Sequence, residues 1–356
     1  MSLPATVVAT AVAAVVAHVL MRLFGRRYSG PARETRRLRR DLLVGSLVAV
    51  VGTALAVLLA DGTVHPAVRS VVAGPPLLVT VLTFWGYTVC AVVVVLAAYL
   101  GFVPAIRRTR EVELGYATAA VRLGRWLTVA GLLAATVAAG LVSVSLTPVT
   151  AAGVVLVLVA VLYVASPWLV ALTQSVRTPT DAERARLDRL CTRAGATGYR
   201  LRVLDRSDEQ AATAFVRGPP GARHLYVTDY LLAELDDDAV AATLAVTVAN
   251  ERHTAYRLGV VGGAGAGLLA AVAGGYPFVA LGLLVVAPLL AYGFGRRLVF
   301  RADDRAAARV GSRTVADSLD RTADLHDASL DAGLLARVGS LRPSLGQRID
   351  RLRDER

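Results

Sequence analysis

His224, His253 and His326, with Glu251, Asp303 and Asp304, are side chains of the polar segments that could assemble a metal site. Imidazole nitrogens and carboxylate oxygens are the usual ligands of zinc, and a zinc ion with one open position activates water for hydrolysis. His253 lies in ATLAVTVANERHTAYR, residues 242–257, a helix-like run between Asp236-Asp237-Asp238 and a long apolar segment. It follows Asn250 by three residues and faces nearly the same way on a helix. A displaced site could then combine His253 with His224 or Asp303. The preferred reading is plainer: Glu251-Arg252-His253 is the solvated end of a helix that reaches the membrane interface. Thr243, Thr247, Asn250 and Thr254 recur at helical spacing as a mild polar stripe. The stripe lines either an unfilled cleft or a buried helix that tolerates threonine. Asp303 either caps a helix or pairs with one of its segment neighbours Arg301, Arg305 and Arg309.

The elements that must position these residues follow from composition. Of 356 residues, 55% are hydrophobic and 19% charged, with a mean hydropathy of +0.55. That is the composition of a multi-span membrane protein. The net charge of +12 comes from arginine, because lysine is absent. The arginines crowd short loops beside apolar runs, where they orient helices in a bilayer, so the charge does not argue for nucleic acid. Cys90 and Cys191 form neither a CxxC pair nor a disulfide framework.

Uncharged runs cover Leu3–Met21, Leu42–Ala60, Leu77–Val103, Trp126–Val176 and Leu258–Gly295. The last two are too long for one crossing each and break at Thr147-Pro148 and at the GGYP of residues 274–277. Seven spans result. The first has its basic residues after the apolar run, which marks an uncleaved anchor with its N-terminus outside rather than a signal peptide. Seven arginines between positions 26 and 40, against Arg69 alone in the 61–70 loop, place the former in the cytoplasm. The expected organisation is a membrane domain over 1–176 with five spans, a polar first part over 177–257, a transmembrane hairpin over 258–295, and a polar second part over 296–356. Both polar parts then share the cytoplasmic side. No Asp, Glu, Lys or Arg lies in a span, which argues against an ion or proton pathway. His18 is the polar exception, near enough to the interface to reach it. Gly259, Gly263 and Gly267 give span six a face that can approach a neighbouring helix or a second copy.

In the first polar part, Thr180–Ala194 reads as a capped helix, Tyr199–Leu204 as a strand, and ATAFVRG (212–218) as a second strand followed by a GPPGA turn. RHLYVTDYLLAEL (223–235) begins as a strand and becomes a helix.

This order, with the phrases ATAFV, LYVTDYLL, DDDAVAATLA, FRADDRAAA and RPSLGQRIDRL, resembles the HtpX-like membrane metallopeptidases, the family that also holds the CAAX prenyl endopeptidases. The resemblance covers roughly residues 177–356. It implies an α-helical polytopic membrane protein of about seven transmembrane helices with a cytosolic α+β zincin-like metallopeptidase domain. In active members, an H-E-x-x-H helix and a Glu from an E-x-x-A-D helix hold zinc, and the motif Glu is the general base. Matching Leu244-Ala245 and the acidic start puts Val246 at the first His, Thr247 at the Glu and Asn250 at the second His. Matching Ala302-Asp303 puts Val299 at the third ligand. A shifted register keeps Glu251 in the Glu position but still places Asn250 and Thr254 where histidines belong. Valine has no lone pair to offer and threonine is no base at neutral pH, so no catalytic residue, metal or other cofactor is expected.

The expected function is a catalytically inactive relative in the cell membrane that binds polypeptides or membrane partners. Two alternatives stand beside it: an active metallopeptidase with a shifted zinc site, and a non-enzymatic structural membrane protein.

Overall fold

The computed structural model describes residues 3–26, 64–72, 74–110, 115–143, 147–207, 210–325 and 343–354. The expected span Leu42–Ala60, most of the arginine-rich run before it, and His326 lie outside the described residues. The first helices are α1 (Leu3–Gly25), α2 (64–71), α3 (Pro76–Arg110), α4 (Tyr116–Ser143) and α5 (Pro148–Thr173). Next come β1 (Val176–Arg177), α6 (Asp181–Ala194), β2 (Arg200–Leu204), β3 (Ala214–Arg217) and β4 (His224–Thr228). The chain continues through α7 (Asp229–Glu234), α8 (Asp237–Glu251), α9 (Thr254–Ala273), α10 (Pro277–Val310), α11 (Ser312–Leu325) and α12 (Leu345–Asp354).

Among the described residues, α1, α3, α4, α5, α9 and α10 are long and apolar enough to cross a membrane. They expose large apolar side chains, among them Val7, Val12, Leu156, Val157, Leu281 and Leu284. Such continuous apolar surface is stable against lipid and not against water. The chain is thus a multi-pass membrane protein. Both expected hairpin breaks are present: α5 starts at Pro148, and the Gly274-Gly275 turn precedes Pro277 at the first turn of α10. Proline suits a first helical turn, where its missing N–H is not needed. Several boundaries differ from expectation: α1 and α3 run on past Met21 and Val103 to Gly25 and Arg110, and α5 stops at Thr173 ahead of β1. Helix α4 begins at Tyr116 rather than Trp126, because the polar residues before Trp126 are themselves good helix formers. Helix α10 continues without interruption from the apolar run into FRADDRAAA.

The chain divides into two compact units, Met1–Ser145 with Leu172–Gln174, and Leu146–Ala171 with Ser175–Arg356. In the first, α1 packs on α3 and α3 on α4. The second contains a four-stranded sheet in the order β1-β2-β4-β3, in which β2 and β4 are parallel and the other pairs antiparallel. Strand β3 is therefore an edge. Alternation along the strands sends Leu201, Val203, Val216, Leu225 and Val227 into a core with Leu187, Leu190 and Leu244 of α6 and α8. The other face carries Leu204 and Tyr226, which pack with Val170 of α5. Helix α6 starts on a capping box between Thr180 and Glu183, and Asp236 caps α8 through the Ala239 N–H.

Candidate functional site

Helix α8 packs against α10, α11, α6 and the edge strand β3, so it holds the positions matched to a zinc helix in the centre of the second unit. The Thr247 hydroxyl lies 2.8 Å from the Thr243 carbonyl and 3.4 Å from that of Ala214 on β3, and gives its one proton to the nearer. Val246 packs against the core cluster, and Val299 on α10 is buried. Asn250 donates from Nδ2 to the Val246 carbonyl at 3.0 Å, and its Oδ1 accepts from Arg257 at 2.9 Å.

These residues do not fit a zinc ion. The Asn250 carbonyl oxygen is the best lone-pair donor at the four matched positions, and it already faces a guanidinium cation that would repel a second positive charge. Asp303 is equally committed. Its side chain is 2% exposed and bound by Arg348 of α12 in a bidentate pair at 2.7 and 2.8 Å. This corrects the expectation that Asp303 caps a helix or pairs with Arg301, Arg305 or Arg309: those arginines follow one helix, whereas α12 brings Arg348 from 45 residues away.

The helix-like run expected over residues 242–257 is also corrected, because it is interrupted. Helix α8 ends at Glu251 and α9 starts at Thr254, with the His253 N–H turned back to the Asn250 carbonyl. The break rotates His253 toward α10, where Nε2 accepts from Arg305 at 2.7 Å. Burial, then the arginines at 305, 257, 301 and 252, hold the His253 imidazole below its ordinary pKa, in the neutral form that can accept this bond. His224 instead bonds the Ala222 carbonyl through Nδ1. Among the described residues, no three His, Cys, Asp or Glu side chains are grouped to hold a metal.

The polar atoms of the stripe are bonded within the protein, while Thr243, Thr247, Asn250 and Thr254 are each half-buried. Thr243 meets Ser318 of α11 at 3.0 Å, and Thr254 donates to Glu251 at 2.8 Å. Glu251 itself is not a solvated helix end, because it is 6% exposed. Its carboxylate lies 3.5 Å from Arg223 Nε, and Tyr163 of α5 is within electrostatic reach. The sequence carried no signal for this burial, since the acid is flanked by Arg252 and His253.

Burial pushes the Glu251 carboxyl above its ordinary 4.5, against the Thr254 hydroxyl and the charges of Arg223, Arg217 and Arg257. A raised carboxyl makes its full contribution to stability below pH 4.5, and that contribution is lost as pH rises through the folded-state value. Glu251→Gln keeps a partner for Thr254 and does not titrate. Its unfolding midpoint should therefore lack the decline expected of the unmodified protein as pH rises above 4.5. Parallel pH curves for the two proteins would contradict this.

The fold is similar to that in the crystal structure of S. mikatae Ste24p, with a TM-score of 0.58 over 98% of this chain and 99% of that chain, at 12% sequence identity. At that identity the likeness is one of fold. No family model matches the sequence, and no curated protein does.

Proposed function

We propose that this protein is a catalytically inactive relative of the HtpX-like and CAAX prenyl endopeptidases, a membrane pseudopeptidase whose polar parts serve polypeptides or membrane partners without cutting them. The observation that carries this reading is the state of the ligand positions on a Ste24p-like fold: Val246 and Val299 have no donor atom, and the Asn250 oxygen is held by Arg257. The break after Glu251 supports matching Val246, Thr247 and Asn250, because a motif shifted to residues 250–254 would need the helix to continue where it stops. The arginine distribution supports placing residues 177–257 and 296–356 on the cytoplasmic side of the cell membrane.

Metal analysis tests the proposal. The purified full chain should hold far less than one zinc per molecule and leave an unfolded polypeptide uncut, with or without chelator. Combining Val246→His, Asn250→His and Val299→Glu should raise zinc toward one per chain, whereas Asn250→His with Thr254→His should not. Stoichiometric zinc in the unmodified protein, lost on Thr247→Ala with Asn250→Ala, would sink the proposal.

A further inference from the structure

The sheet face turned away from α6 carries an ordered basic surface. The strand registers place Arg200, His224 and Arg217 in one row across β2, β4 and β3, and Arg202, Tyr226 and Phe215 in the next. Paired residues in a register point to the same face, so the exposed Arg200 and Arg217 and the half-buried Arg202, His224 and Phe215 surround Tyr226, which is buried against α5. The three strands contain no acidic residue. Phe215 and Tyr226 stack at 5.2 Å, and the Arg217 guanidinium lies over the Phe215 ring at 5.0 Å. This stacking holds a cation flat and outward. Burial and the neighbouring Arg202 and Arg200 keep His224 below its ordinary pKa, consistent with a positive local field.

The position of this surface identifies what it meets. Its hairpin turn rests on α5: the Gly218 N–H donates to Ser166 Oγ at 3.2 Å, and Tyr226 Oη donates to the Pro167 carbonyl at 3.3 Å. Both contacts lie within the candidate span Pro148–Thr173. A helix of 26 residues is about 39 Å long, roughly 9 Å more than the hydrocarbon core. The last turns of α5, with Trp168 65% exposed, are the part of this span next to the polar sheet, where an interfacial aromatic is expected. The rows of arginines are fixed against those turns.

We propose that the Arg200, Arg202 and Arg217 face of the sheet binds the phosphate headgroups of anionic phospholipids at the membrane surface. Guanidinium groups pair with phosphate through parallel hydrogen bonds, and a zwitterionic headgroup offers a weaker net attraction. The lipid thereby clamps the sheet to the end of α5. This surface is independent of the lost zinc positions, which lie on α8 and α10.

The test uses the full chain, delipidated in neutral detergent and titrated with phosphatidylglycerol or phosphatidylcholine of identical acyl chains. Bound lipid is counted by native mass spectrometry. Phosphatidylglycerol should bind about tenfold more tightly. Arg200→Gln with Arg217→Gln should remove that preference, whereas Arg184→Gln with Arg189→Gln, exposed on α6 beyond the opposite face, should keep it. If the first pair does not fold, Arg200→Gln alone, at an exposed position, should lower the preference severalfold. Equal binding of the two lipids, or a preference that survives these substitutions, overturns the proposal. So does displacement of phosphatidylglycerol by millimolar glycerophosphoglycerol, because it would show a site for a soluble anion.

Discussion

Arg348→Met should destabilise the second unit by about 3–5 kcal/mol, more than most single substitutions in this chain. The substitution strands the Asp303 carboxylate at 2% exposure with both oxygens deprived of the guanidinium that holds them. Two-point attachment fixes α12 on α10, and Arg351 continues it with a 2.9 Å contact to Asp304 and a place over the Phe300 ring. The informative control is Asp303→Leu with Arg348→Met, which removes both charges and should recover most of the loss. Chemical unfolding of the detergent-solubilised protein measures both variants. Equal destabilisation by the single and double substitutions would show that packing rather than the stranded charge sets the effect.

Gly101→Val should be the most damaging small change among the described residues of the first unit, costing about 1–3 kcal/mol or preventing assembly of α1 on α3. A Cβ at this position collides with the carbonyl oxygen of His18, which is backbone and cannot swing aside. The same crossing includes the 3.0 Å contact of His18 Nδ1 with the Ala97 carbonyl and the buried side chain of Phe102. Close approach at a small residue is the usual basis of helix association in lipid, where apolar side chains gain little by leaving their surroundings. Gly101→Ala should show a smaller loss in the same direction. Thermal unfolding of unmodified, alanine and valine proteins should fall in that order, and an unchanged midpoint for valine would refute the tight crossing.

His18 illustrates why part of this molecule was legible in sequence and part was not. Its isolation in an apolar run marked it as interfacial or functional; the structure gives it a packing role that depends on Gly101, 83 positions away. Six of the expected spans, and both breaks, were readable because lipid imposes long uncharged runs and because Pro148, Gly274 and Gly275 interrupt them locally. Strands β2, β3 and β4 were readable from their residue types, whereas β1 lies at the end of an uncharged run and was not, and the choice of Thr180 over Asp181 as the cap of α6 needed the structure. Local signals failed where tertiary contacts decide. Nothing in Glu251-Arg252-His253 announces that the helix stops and that the acid turns inward to Thr254 and Arg223. At the candidate site, residue types told what zinc would lack, but the engagement of Asn250 by Arg257 and of Asp303 by Arg348 needed the fold.

Helix α10 is one element of 34 residues, so it is a rod about 51 Å long against a hydrocarbon core of about 30 Å. Roughly 20 Å of it stands outside the core as a structural member of the second unit, bonded through Asp303 to α12 and packed on α8 and α11. Its membrane part contains Pro288, where the backbone ladder loses a hydrogen bond and bending is concentrated. The helices around α8 are thereby joined to a membrane-crossing segment by one unbroken helix rather than by a loop.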